Sequence, residues 1–155
     1  MALIEAGQQA PAFSLKDQSG TLRHLADYRG APLILYFYPK DNTPGCTTES
    51  CDFRDKLSKF KSIKTAVLGI SILDEASKAK FAERFNLNFP LLADEHHDVA
   101  EKYGVWQEKS MYGKTFMGIA RTTYLIDADG NVARRWDKVK VDGHVDDVLA
   151  AVKAL

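Results

Sequence analysis

The chain has 155 residues, 45% apolar and 27% charged, a composition that suits one domain with a sizeable core and argues against disorder. Lys plus Arg and Asp plus Glu each number 21, so the formal net charge is zero and no global field draws in nucleic acid or an anionic membrane. The N-terminal MALIEAGQQAPAF has neither a basic leader nor a long apolar stretch, and the longest apolar run, Leu33 to Tyr38, is far too short to span a bilayer; a soluble, cytoplasmic protein is expected.

In chain order, Leu33-Ile34-Leu35-Tyr36-Phe37-Tyr38 is a continuous apolar run ending at Pro39, which predicts a strand buried on both faces. After Pro44, Phe53, Leu57 and Phe60 fall on one face of a helix that runs into Lys59 and Lys61. Thr65 to Ser71 predicts a second buried strand, and Asp74 to Phe85 a helix with Ala79, Phe81, Ala82 and Phe85 at helical spacing. A short extended piece at Phe89 to Leu92 and a short helix at His96 to Tyr103 follow. Val105 to Ala120, rich in Gly and Lys, reads as a surface loop. Arg121 to Ile126 and Val132 to Trp136 flank a turn in which Gly130 supplies a positive φ, and Val145, Val148, Leu149 and Val152 predict a closing amphipathic helix. The order gives an α/β fold with a mixed central sheet flanked by helices, one domain over residues 1–155, without repeats or linkers.

Both cysteines lie in YFYPKDNTPGCTTESC, residues 36–51. With Thr43 as N-cap, Pro44 takes the first helical position and Cys46 the third, where unpaired N-H groups and the positive end of the helix dipole favour a thiolate. At about 100° per residue, Cys46 lies within roughly 40° of the line through Phe53, Leu57 and Phe60, and Cys51 about 140° round, near Asp55 and Ser58. One sulfur is expected to face the core and the other water. Their Cα atoms should stand roughly 8.6 Å apart in a helix, beyond the ~7 Å a disulfide tolerates, so the pair can bond only if the first turns unwind. An activated thiol that attacks a peroxide, becomes a sulfenic acid and is rescued by a second thiol fits this spacing.

Plainer readings weaken against the pattern. A small buried hydrophobe explains Cys46 but not a Cys51 turned from the apolar stripe. No metal or other cofactor is expected: His24, His96, His97 and His144 stand at no recognised ligand spacing from the cysteines. The CxxC motif of dithiol oxidoreductases is absent, and Asp127-x-Asp129-Gly130 lacks the later ligands of a calcium loop. Local sequence alone reads Arg121 as an ordinary edge-strand arginine.

Pro39-x-x-x-Thr43-x-x-Cys46 resembles the active-site signature of the peroxiredoxins, and YPKDNTPGCTTESC resembles the peroxiredoxin Q group, also called bacterioferritin comigratory protein. Pro11 to Leu15, Phe89 to Asp94, Tyr103 to Trp106 and Arg121 to Ile126 extend the resemblance over almost the full length. It implies a thioredoxin-like fold and thiol-dependent reduction of hydrogen peroxide and organic hydroperoxides. Cys46 takes the peroxidatic role and Cys51 the resolving role within the same subunit, so a monomer suffices, with thioredoxin or a similar dithiol as reductant. Thr43, Pro39, Gly45, Arg121 and Glu49 are the implied substrate-side residues: the Thr43 hydroxyl meets the peroxide, Pro39 shields the site from water, Arg121 sits beside Cys46, and Glu49 is an orienting contact. Ile72 to Lys78 departs from the family pattern, which often carries a proline after the first Ser and a Ser-His pair further on, and touches no residue assigned a role. A redox sensor or holdase using the same switch is the rival reading, and a disulfide reductase a third.

Overall fold

The structure, a computed structural model, describes residues 2–155. Strands β1 (Ser14–Lys16) and β2 (Leu22–His24) pair antiparallel and lead through a 3-10 turn at Leu25–Tyr28 to β3 (Leu33–Phe37). Helix α1 (Pro44–Ser62), β4 (Ala66–Ser71), α2 (Glu75–Phe85), β5 (Leu91–Ala93) and α3 (Asp98–Lys102) follow. Then come β6 (Trp106–Met111), β7 (Lys114–Ile119), β8 (Thr122–Ile126), β9 (Val132–Trp136) and α4 (His144–Lys153).

Period-two alternation along β3 organises the core. Ile34, Tyr36 and Tyr38 point to one face of the sheet, where Phe53, Leu57 and Phe60 of α1, Phe81 of α2 and Val145, Val148 and Val152 of α4 pack on them. Leu33, Leu35 and Phe37 point to the other, beneath Phe13, Leu25, Val99 and Tyr103. The central sheet runs β5-β4-β3-β8-β9, with β3, β4 and β5 parallel and β8 antiparallel to both of its neighbours, β3 and β9, which is the mixed sheet the sequence predicts. The aromatic ring of Tyr36 needs room over its register partner Gly69: a Cβ there would lie 2.8 Å from the ring.

Two differences from expectation have clear causes. Val105 to Ala120 contains a β-hairpin, β6 against β7, turning at Tyr112 and Gly113 with φ of 53° and 75°. Positive φ at both central residues gives the twist a two-residue hairpin wants. The hairpin's side chains are mostly exposed, so it shows little of the burial periodicity that reveals a strand. The first thirty residues likewise hold β1 and β2, each too short to leave a pattern.

Candidate active site

Helix α1 starts where the sequence places it. Thr43 is the N-cap in an extended conformation, Pro44 opens the helix, and Cys46 is the third helical residue. The Thr43 side chain does not cap. Its Oγ1 donates to the carbonyl of Lys40 at 2.9 Å instead, leaving the first-turn N-H groups of Gly45 and Cys46 without carbonyl partners inside the helix. The Tyr36 hydroxyl, 2.8 Å from Ser50 Oγ, and its ring, stacked 4.6 Å from Phe53, fix this end of α1 to β3.

Cys46 is 1% exposed, and Arg121 reaches it from the start of β8. The guanidinium donates from Nη2 to Cys46 Sγ at 3.2 Å and from Nη1 to Glu49 Oε1 at 2.7 Å. Glu49 lies three residues after Cys46, hence on the same helical face, and its side chain is fully buried. Among the described residues its other oxygen, Oε2, has no hydrogen-bond partner. Burial pushes the Glu49 carboxyl up to about 7 although Arg121 pulls it down. Gly45 is explained by the same arginine: a Cβ there would stand 3.2 Å from Nη2, so the glycine leaves space for the guanidinium. On the β6–β7 hairpin, burial and the neighbouring charge of Arg121 lower the pKa of Lys109.

The structure thus brings Cys46, Arg121, Glu49 and Gly45 together, with Thr43 one helical turn before the sulfur and Pro39, half-buried, at the end of β3. Arg121 does not occupy an edge: β8 lies between β3 and β9. Cys51 corrects a second expectation. Both thiols are free within an unbroken α1, but Cys51 is partly buried against the core rather than turned to water. Burial raises its thiol pKa, against the pull of Arg54.

Residues that sequence reasoning missed lie behind the loop joining β3 to α1. Asp41, in that loop, is 6% exposed. Its carboxylate accepts from Tyr38 Oη at 2.5 Å, Ser77 Oγ at 2.7 Å and Lys78 Nζ at 3.0 Å. Lys78 is fully buried on α2 and also donates to Ser71 Oγ. Burial lowers the Lys78 pKa, while Asp41 opposes the shift. The stretch Ile72 to Lys78 therefore does touch the active-site loop. Its signal was legible: Lys78 shares the spacing of Phe81, Ala82 and Phe85, which puts a lysine on the apolar face of α2. A cavity of about 530 Å3 between β1, β5 and α3 is lined by Asp94, His96 and Lys102 and lies apart from Cys46.

Residues 6–135 match the AhpC/TSA family. Peroxiredoxin Bcp of Bacillus subtilis is 47% identical over 150 residues, 97% of this chain and 96% of that protein. Peroxiredoxin Bcp of Escherichia coli K12 matches equally, at 47% over 150 residues. Among solved structures, the PrxQ variant of Xylella fastidiosa superposes with a TM-score of 0.94 at 35% identity, covering 99% of this chain and 98% of that one. The bacterioferritin comigratory protein of Xanthomonas campestris, studied for its alkyl peroxide reduction activity, superposes at 0.91 and 40% identity, covering 97% and 98%. The thioredoxin-like fold implied by the sequence is the fold of these neighbours. Among the described residues no helix is long and apolar enough to cross a membrane.

Proposed function

Because the chain belongs to the AhpC/TSA family, we propose that it is a thiol-dependent peroxidase of hydrogen peroxide and organic hydroperoxides, with Cys46 as the attacking sulfur and Cys51 as the resolving one. The observation that carries this reading is the single guanidinium bridging Cys46 Sγ and Glu49. Arg121 and the first-turn N-H groups of α1 attract negative charge at the sulfur, and they attract equally the charge that develops on the peroxide oxygens as the O-O bond breaks. The Thr43 hydroxyl spends its proton on the Lys40 carbonyl, so toward the substrate it offers lone pairs that accept from the peroxide O-H. Pro39 keeps water from the loop side. In the reaction an S-O bond forms as O-O breaks; the distal oxygen goes to sulfur, and the other leaves as alcohol or water after taking a proton. Cys46 is oxidised by two electrons to sulfenic acid.

Resolution needs Cys51 to reach that sulfur, and α1 as folded keeps the two apart. Burial holds the Cys51 thiol protonated in the helical state. Unwinding the first turns exposes it, its sulfur attacks the sulfenic sulfur, an S-S bond forms and water leaves. Thioredoxin or a similar dithiol then reduces the disulfide. Since both sulfurs belong to one subunit, a monomer can complete the cycle, and the cytoplasm supplies such dithiols. The experiment is a thioredoxin-coupled peroxidase assay with mass spectrometry of the sulfur products. The wild type should turn over many times, and Cys46→Ser should be dead. Cys51→Ser should consume one equivalent of peroxide and accumulate sulfenic or higher acids on Cys46. Peroxide consumption that survives in Cys46→Ser would refute the assignment.

A further inference from the structure

The loop from Pro39 to Thr43 carries the residues in front of the reactive sulfur, yet it is not held by them. Its anchor is Asp41, turned inward. Tyr38 just past β3, Ser77 and Lys78 of α2 and, at 3.4 Å, Ser71 of β4 all donate to its carboxylate, and Lys78 also donates to Ser71. Three scaffold elements therefore converge on one loop side chain. The Lys78 ammonium is fully buried, 3.0 Å from Asp41 Oδ2 and 3.2 Å from Oδ1, and it also lies 5.4 Å from the centre of the Tyr38 ring. A buried ion pair with both partners hydrogen-bonded is strongly dependent on staying together, because either charge left alone inside the protein is costly.

We propose that Lys78 is a positioning residue: its buried pair with Asp41 sets the balance between the folded and the unwound state of the loop and first turns of α1, and so decides how oxidised Cys46 is partitioned. This rests on the peroxidase reading above. In the folded state the Cys46 sulfenic acid faces incoming peroxide, and a second attack, forming another S-O bond as O-O breaks with release of alcohol or water, takes it to sulfinic acid. In the unwound state Cys51 captures the same sulfur, forming S-S and releasing water. Unwinding residues 43–47 displaces the loop that Asp41 anchors, so the pair belongs to the folded state, and its strength delays resolution and leaves Cys46 open to overoxidation.

The test uses Lys78→Met, which keeps the length and packing of the side chain and removes the charge, and Ser77→Ala, a milder change that removes one donor from Asp41 and retains the fold if the first variant does not. Two readouts are taken on reduced full-length protein. Amide hydrogen exchange over residues 42–51 should quicken about tenfold in Lys78→Met and about threefold in Ser77→Ala, with the rest of α1 little changed. The peroxide concentration that half-inactivates the enzyme during turnover should rise by the same order, since faster unwinding favours the disulfide over sulfinic acid. Faster exchange spread evenly over the chain, or an unchanged or lower inactivation threshold in a variant that folds, would overturn the proposal. A wild-type protein that consumed no peroxide would instead sink the peroxidase reading, while the exchange measurement would still judge the loop anchor.

Discussion

A guanidinium can face two acceptors at once with its separate nitrogens, and at position 121 it does so, Nη2 to the Cys46 sulfur and Nη1 to the Glu49 carboxylate. An ammonium of similar reach concentrates its charge at one point and cannot span both. Arg121→Lys is therefore expected to keep the fold and lose about a hundredfold in kcat/KM for hydrogen peroxide, as measured by stopped-flow oxidation of the reduced enzyme. A loss of less than a few fold would show that a bare positive charge is sufficient. None of this was legible around position 121 itself: the local sequence reads as a plain strand residue, and only the resemblance of the whole stretch suggested otherwise. Thr43, Pro44 and Cys46 were legible, because a proline after a capping residue declares a helix start whatever surrounds it. Cys51 was misread because a helical wheel drawn on α1 alone leaves out whatever the rest of the fold packs beside the helix.

Among the elements, β3 and β4 carry the packing that holds α1 in place. Tyr36 stacks on Phe53 and bonds Ser50, and it can do so because Gly69 yields the space beside its ring. Gly69→Ala would put a methyl group 2.8 Å from that ring, in a β4 position buried on both sides. Overpacking of this kind costs about 1–3 kcal/mol, so the urea midpoint should fall accordingly, and peroxidase activity should fall with it as the start of α1 shifts. An unchanged midpoint would mean that Tyr36 repacks freely. Strands buried on both faces announced themselves as unbroken apolar runs, while the β6–β7 hairpin, exposed on most of its length, did not.

At the scale of the whole molecule, two buried groups tie stability to pH with opposite signs. Burial, opposed by Arg121, raises Glu49 from its ordinary 4.5 to about 7, so the fold favours its neutral form; that contribution is complete below pH 4.5 and is lost as pH climbs through about 7. Burial lowers His144 from 6.5 to about 4, and the neutral ring, 2.8 Å from Thr123 Oγ1, contributes stability above pH 6.5 that is lost as pH falls through about 4. Each is worth on the order of 3 kcal/mol between its limits, so in the wild type they largely offset one another. Glu49→Gln should make the urea midpoint fall more steeply on acidification from about pH 7 to about pH 5, and His144→Gln should make it rise; three parallel profiles would contradict this. The resemblance marked Glu49 as an orienting contact, but the shifted titration of either group was not legible in the sequence, since a carboxylate and an imidazole become unusual only when packing takes water from them. By itself the sequence determined the central strands, the start of α1, the spacing of its two sulfurs and the family resemblance, because periodicity, capping and motif are properties of neighbouring residues. The meeting of Arg121 with Cys46, which only the family resemblance implied, and that of Lys78 with Asp41, which nothing in the sequence implied, are made by the tertiary structure. Those contacts join residues far apart in the chain, and they exist because one face of β3 fixes where α1 and α2 pack while strand pairing along its edge fixes β8.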